Sequence, residues 1–175
     1  MLRAGDAAFA FRAMVETGQY SDSAARRYLE EVLIKRRDKI GQYYLTRLNP
    51  LVNFELSASG SLRFENAAVN AGVAEAPSSY IGTWFVFDNH TRATRPLGET
   101  KGAGGQLPAP AGLPSAADSF VVVELRAVEA AYPSWHEPTK VYFKRVVSGW
   151  KLVGVERMAD QTPPSEPATR TITRK

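Results

Sequence analysis

The chain divides into two parts that differ in the spacing of their hydrophobic positions. Before Pro50 the apolar residues recur near every 3.6 positions, whereas after Pro50 they alternate with a period of two. The first spacing is typical of amphipathic helices and the second of strands with one buried face. The sequence therefore predicts a helical segment over residues 1–50 and a β domain over residues 51–160.

Two helices are predicted in the first part. An Ala-rich helix spans Asp6 to Thr17, and Gly18 ends it. A longer helix starts at the Ser-Asp-Ser sequence of residues 21–23, which are favourable N-cap residues. It ends at Asn49-Pro50, because the residue before a proline is disfavoured in helical geometry. Gly41 weakens the middle of this helix and leaves a break there open.

Six strands are predicted in the second part, each rich in β-branched or aromatic residues and bounded by turn residues. They are Leu51 to Leu56, Ser61 to Phe64, Tyr80 to Asp88, Phe120 to Val128, Val141 to Val147 and Trp150 to Arg157. The last two form a hairpin around Ser148-Gly149. Because no helix separates the strands, the pattern favours an antiparallel sandwich or barrel over a βαβ fold.

Two segments are predicted to lack regular structure. Gly98 to Ser119 contains five glycines and three prolines, and is interpreted as a mobile surface loop, with a binding loop as the alternative. Residues 161–175 are rich in proline and predict a disordered tail.

Composition narrows the function classes. The 175 residues include no cysteine, which excludes disulfides, thiolate nucleophiles and Cys-ligated metals. The net charge of +4 arises outside the β domain, because residues 1–50 carry nine Lys and Arg against six Asp and Glu, and residues 51–160 carry ten against eleven. This distribution argues against a nucleic-acid partner. No apolar stretch reaches the length of a membrane span, so the chain is expected to be soluble, although its compartment stays open.

Two loops carry the candidate site residues. Asp88 and His90 follow the aromatic strand, and His136 lies beside Glu137 in a later loop. If the loops met, these side chains would offer two imidazoles and two carboxylates to a divalent cation. The favoured interpretation is an Asx turn with exposed histidines, so the sequence assigns no metal and no cofactor. No catalytic motif is present and no catalytic residue is assigned.

The other candidate site residue is one of the three tryptophans. Trp84 and Trp150 lie in strand patterns and are predicted to fill the core, each with its indole N–H bonded at the edge. Trp135 lies in a loop between Pro133 and Pro138 and is predicted to be a surface aromatic that contacts a ligand or partner.

The strands resemble the core strands of fibronectin type III and related immunoglobulin-like sandwiches in order and hydrophobic character. The matching segments are Leu62-Arg63-Phe64, Tyr80 to Trp84, Phe120 to Val123 and Val141 to Phe143. The resemblance implies a seven-stranded sandwich. This chain departs from the family at Phe64, where many members have tryptophan, and in the additional strand Trp150 to Arg157.

Two further resemblances concern the helices and the hairpin. The block Tyr28 to Pro50, with Phe87-Asp88-Asn89, resembles C-terminal regions of large uncharacterised bacterial proteins, which implies an upstream partner domain. The hairpin at Lys140 to Met158 is similar to that of the nuclear transport factor 2 family, an α+β cone in which helices cover a curved sheet. The cone implies a pocket beneath the helices.

Two functional hypotheses follow. The first is a non-catalytic binding or structural module of a larger bacterial protein, of the cell envelope or secreted, with the loops around His90, Gly98 to Ser119 and Trp135 as its contact end. The alternative is a small-molecule-binding protein or simple acid/base enzyme, with Tyr43, Tyr44, Asp88 and His90 in a pocket under the helices. The sequence favours the first and leaves catalysis undecided.

Overall fold

The computed structural model describes residues 4–157, and of residues 4–8 it describes the backbone alone. The helices in this range are α1 (Ala4–Glu16), α2 (Ser23–Leu45) and α3 (Ala67–Asn70). The strands are β1 (Leu51–Leu56), β2 (Ser61–Asn66), β3 (Ser79–Phe87), β4 (Thr94–Gly102), β5 (Gln106–Pro108), β6 (Phe120–Val128), β7 (Thr139–Val146) and β8 (Gly149–Arg157). A 3-10 turn at Pro133–His136 separates β6 from β7. The predicted tail at 161–175 lies outside the described residues.

The strands form two antiparallel sheets. The three-stranded sheet has the order β1-β2-β5, and the five-stranded sheet has the order β4-β3-β6-β7-β8. The predicted hairpin is confirmed, since β7 and β8 pair from Thr139↔Arg157 to Val146↔Gly149. The fold is thus β-rich with helices at its N-terminal end, as the change of hydrophobic period predicts.

One hydrophobic core lies between the two sheets. Alternate side chains of each strand enter it, because successive residues of a strand point to opposite faces. The fully buried residues of this core include Trp84, Leu125 and Phe143 from the larger sheet and Leu51, Leu62 and Leu107 from the smaller one. The indole Nε1 of Trp84 donates to Oγ1 of Thr100 at 2.9 Å. Trp84 therefore lies in the core with its indole N–H hydrogen-bonded, as its strand pattern predicts.

The sequence pattern does not predict β4, which forms one edge of the five-stranded sheet. Most of its residues are exposed, and Pro96 and Gly98 lie within it. The register shifts between Trp84 and Phe85, so that Leu97 is an extra residue on β4. Proline and a bulge are tolerated at an edge because one side of the strand has no neighbour to bond. The same features remove the alternation of apolar and polar residues by which strands are recognised in a sequence.

The interpretation of Gly98 to Ser119 as a mobile surface loop is wrong for its first half. Residues up to Gly102 complete β4, and β5 pairs with β2 and buries Leu107 completely. Gly105 has a φ of +74°, and a Cβ there would lie 2.7 Å from the carbonyl oxygen of Phe64. Glycine is required at this position because the chain crosses closely from one sheet to the other.

The long helix α2 is confirmed in type and in its starting cap. The Asp22 side chain accepts a hydrogen bond from the Ala24 N–H at 2.7 Å. The helix continues through Gly41 without a break and ends at Leu45, before Asn49-Pro50. None of its residues is fully buried, although α1 lies against it. No helix within residues 4–157 combines the length and the apolar character needed to cross a bilayer.

The prediction that Trp135 is a surface aromatic is wrong. Its side chain is 0% exposed and stacks on Tyr132 at 4.5 Å between ring centroids. The indole Nε1 donates to the carbonyl oxygen of Leu45 at 2.9 Å, and Oγ of Ser134 donates to the carbonyl of Thr46 at the same distance. The loop turns inward because the last carbonyls of a helix need donors.

The strand β8 extends the five-stranded sheet beside β7. At its end, Nη2 of Arg157 donates to the carbonyl of Leu51 at 2.6 Å and so ties the sheet to β1. In the alternative cone, the N-terminal helices would bury a face against the sheet. Here α2 buries no residue fully, and β8 lies beside β1, to which Arg157 bonds.

A first prediction concerns Asn49, which is buried and donates from Nδ2 to the carbonyls of Leu125 and Glu137, each at 2.9 Å. Asn49→Asp removes both donors and places a carboxylate against two carbonyls. We expect the free energy of unfolding to fall by about 2–4 kcal/mol. The exposed control Asn53→Asp should change it by under about 0.5 kcal/mol. Urea denaturation measures both, and equal losses would contradict this role for Asn49.

A second prediction concerns Thr139, whose side chain is fully buried. Its Oγ1 has no hydrogen-bond partner among residues 4–157. Thr139→Val keeps the shape and removes the desolvated hydroxyl, so we expect the free energy of unfolding to rise by about 1 kcal/mol. Thr139→Ser, which keeps the hydroxyl and loses a methyl group, should lower it. A lower melting temperature for the valine variant would show that the hydroxyl is bonded in solution.

Candidate functional site

A groove of about 740 Å³ lies on the face of the five-stranded sheet that points away from the core. Its floor is mainly apolar and its rim is polar. The floor consists of Phe85, Phe87, Phe120, Val122, Tyr142, Val153 and Gly154, and the rim of Asn89, Arg92, Thr94, Glu124, Lys140 and Glu156. The groove that these residues line is named the sheet groove.

The register of the strands explains why these side chains share one face. Residues directly opposite one another on antiparallel strands point to the same side of a sheet. One row across four strands consists of Phe85, Val122, Tyr142 and Gly154, with Phe87 opposite Phe120 beside it. The next row consists of Glu124, Lys140 and Glu156. The groove therefore has an aromatic centre and a charged end.

Gly154 keeps the floor open beside Tyr142. A Cβ at this position would lie 3.5 Å from the nearest carbon of the Tyr142 ring, which is an ordinary contact distance. The backbone thus permits a side chain here, and the space in the groove exists because glycine supplies none.

The polar side chains at the charged end of the groove bond to one another. Nζ of Lys140 lies 3.4 Å from Oε1 of Glu124, and the Tyr142 hydroxyl donates to Oε2 of Glu156 at 3.1 Å. Burial raises the pKa of Tyr142 above its usual value, and the hydrogen bond to the Glu156 carboxylate raises it further. Tyr142 is accordingly a neutral hydrogen-bond donor at physiological pH.

The turn between β3 and β4 forms the opposite end of the groove and is built on Asp88. Its Oδ1 accepts the backbone N–H groups of His90 at 2.8 Å and Thr91 at 3.1 Å. These bonds, led by that from Thr91, lower the pKa of Asp88 although the side chain is fully exposed. Asp88 is thus the Asx-turn residue that the favoured sequence interpretation describes.

The candidate site residues of the two loops do not come together. Asp88 and His90 follow the end of β3 at which Phe87 pairs with Phe120. His136 and Glu137 lie beyond the other end, at which Ser79 pairs with Val128. Between the first and last residues of the nine-residue strand β3 there are eight steps of ~3.3 Å, which give a span of about 26 Å. This separation excludes a shared cation, and Trp135 and His90 cannot belong to one contact end.

The four residues of the alternative hypothesis, in which a pocket lies under the helices, also lie at two separate places in the structure. Tyr43 and Tyr44 are exposed on α2, whose C-terminal end lies at the Trp135 end of the sheet. Asp88 and His90 are exposed at the opposite end. The structure therefore provides no single pocket for these four side chains.

Sequence reasoning missed the aromatic floor of the groove. The pattern of β3 did contain a signal, because Tyr80 to Phe87 is apolar on both faces. An antiparallel strand with one solvated face normally alternates. Apolar residues on the second face of β3 and β6 indicate a surface that is covered or that binds a ligand.

Comparison with known proteins gives no relative: no protein-family model, curated protein or solved structure matches the chain. Within residues 4–157, no cluster of three or more His, Asp or Glu side chains is arranged to hold a metal ion. The sheet groove is the candidate functional site of the described residues.

A third prediction concerns the ionisation of Tyr142. Because its pKa in the folded protein lies above the ordinary value of 10.0, its contribution to stability is complete below pH 10 and is lost as the pH rises further. An ultraviolet titration of tyrosinate should lose a component above pH 10 in Tyr142→Phe. Glu156→Gln removes the negative charge and should move this component to lower pH. An unchanged component in Glu156→Gln would show that Glu156 does not act on Tyr142.

Proposed function

We propose that the protein is a non-catalytic binding module that uses the sheet groove to hold a small, largely apolar ligand. The observation that carries this proposal is the row Phe85, Val122 and Tyr142, which forms the floor of the sheet groove on the sheet face opposite the core. A bacterial parent protein and an upstream partner domain remain predictions of the sequence resemblance.

We also propose that the fold is of the fibronectin type III kind. In that family the first, second and fifth strands form one sheet, and the fourth, third, sixth and seventh form the other in that order. The observed orders β1-β2-β5 and β4-β3-β6-β7 agree with this arrangement. The additional strand β8 continues the larger sheet beyond β7. The agreement in order and antiparallel pairing supports the proposal, and β8 is the feature particular to this chain.

The dimensions and chemistry of the groove suit a ligand of moderate size. Ligand sites commonly enclose ~300–1,000 Å³ with apolar walls and a few polar groups. The sheet groove lies in this range. Phe87 meets the Tyr142 ring edge-on at 5.3 Å, so both rings are held in place by each other. Rigid aromatic side chains lose little conformational entropy when a ligand covers them.

The groove supports binding better than catalysis. The carboxylate of Glu124 is paired with Lys140, and Glu156 accepts a hydrogen bond from the Tyr142 hydroxyl. These groups are suited to orient a ligand through hydrogen bonds at the rim.

The fourth prediction tests the groove with N-phenyl-1-naphthylamine, a neutral apolar dye whose fluorescence rises on binding. Gly154→Leu fills the space beside Tyr142 and should weaken dye binding at least about tenfold. Gly154→Ala adds one carbon at ordinary contact distance and should weaken it by less than about threefold. Chemical denaturation verifies that both variants are folded. Failure of the wild-type protein to bind the dye, or equal binding by all three proteins, would exclude the groove as the site.

A further inference from the structure

Arg92 is the cation at the turn end of the sheet groove. Both lysines near the groove are paired, Lys140 with Glu124 at 3.4 Å and Lys144 with Asp118 at 2.6 Å. Within residues 4–157, Arg92 forms no ion pair with a carboxylate. An unpaired guanidinium beside an apolar surface is a ready partner for a carboxylate or sulfonate, which it can bind through two parallel hydrogen bonds.

The backbone that carries Arg92 is held before any ligand arrives. Asp88 accepts two backbone N–H groups within the turn, and the Arg92 N–H donates to the Asp88 carbonyl at 2.8 Å. The Asp88 N–H closes the turn through the carbonyl of Ala93 at 2.9 Å. Arg92 itself has a φ of +60°, a backbone conformation that these bonds stabilise. Such preorganisation lowers the entropic cost of binding.

The two ends of the groove differ in charge. Burial and the Glu156 carboxylate raise the pKa of Tyr142 in the middle of the floor, and the positive charge of Arg92 offsets a small part of that rise. The far end carries Glu124 and Glu156, with Lys140 between them in the same row. An anionic group is therefore attracted to the turn end and repelled from the far end. A ligand with one charged end can lie along the floor in only one favourable direction.

We infer that the sheet groove binds an amphipathic organic anion, with its carboxylate or sulfonate on Arg92 and its hydrocarbon body on Phe87, Phe120 and Tyr142. The inference rests on the proposed function and adds the chemical class of the ligand. Arg92 is the residue that contacts the anion, and Asp88 is a positioning residue that holds the turn.

The fifth prediction compares two dyes that share one hydrocarbon frame, anionic 8-anilinonaphthalene-1-sulfonate and neutral N-phenyl-1-naphthylamine. The measured quantity is the ratio of their dissociation constants. The wild-type protein should prefer the anionic dye by about tenfold, and Arg92→Gln should reduce this ratio to about one. Arg95→Gln removes the same charge from a neighbouring exposed position outside the groove and should leave the ratio unchanged. Added salt should reduce the wild-type preference.

The positioning role of Asp88 is tested by the same ratio. Asp88→Ala should lower the preference for the anionic dye relative to Asp88→Asn, which removes the same negative charge but keeps an oxygen that can accept the turn N–H groups. The Asp88→Ala, Arg92→Gln double variant should match the Asp88→Asn, Arg92→Gln variant, because the positioning effect acts through one guanidinium. A further loss in the Asp88→Ala, Arg92→Gln variant would show that Asp88 supports the groove generally. Displacement of the dye by decanoate or by 3-phenylpropanoate, each compared with its neutral amide, distinguishes an aliphatic from an aromatic acid.

The two proposals fail in different ways. If neither dye binds the wild-type protein, or if Gly154→Leu binds both as tightly as wild type, the groove is not a ligand site and the proposed function fails. If the neutral dye binds in the groove and Arg92→Gln keeps the full preference for the anionic dye, the anion inference is overturned and the proposed function stands. Stronger displacement by the amides than by the acids would also overturn it.

Discussion

The architecture depends on the hydrogen bonds made by one buried amide, that of Asn49. It donates to carbonyls at the end of β6 and the start of β7, and its Oδ1 accepts the Leu51 N–H at 3.3 Å. Buried carbonyls need partners, so this side chain brings the start of the three-stranded sheet to one end of the five-stranded sheet. Beside it, Trp135 donates to the last turn of α2. The helices therefore leave the β domain at a single defined point.

This arrangement determines which face of the larger sheet is free. The three-stranded sheet covers one face of β3, β6 and β7, and the helices depart from the Trp135 end without burying a residue of α2 fully. On the second face the aromatic residues are half-buried and line the sheet groove. The additional strand β8 then widens the sheet and contributes Gly154, whose missing side chain leaves space beside Tyr142. The groove is thus a consequence of one-sided packing.

The polarity of the groove has two separate structural origins. At one end, strand register places Glu124, Lys140 and Glu156 in one row, where they are largely satisfied by one another and by Tyr142. At the other end, a turn held by the Asp88 carboxylate carries Arg92, which is left without a carboxylate partner in the described chain. The sequence offers Asp88 as a candidate binding residue, and in the structure its carboxylate holds the turn that carries Arg92.

The sequence by itself determined the two N-terminal helices, the position of the second helix's cap within residues 21–23, six of the eight described strands and the core position of Trp84, because each depends on local spacing and side-chain type. Only the tertiary structure decided the rest. The edge strand β4 has no alternation to recognise, and β5 is a strand only because β2 pairs with it. Trp135 is buried by the end of a helix ninety positions away. The sheet groove exists because the register of four strands aligns residues that are distant in sequence, and the pattern within one strand does not specify which strands pair with it.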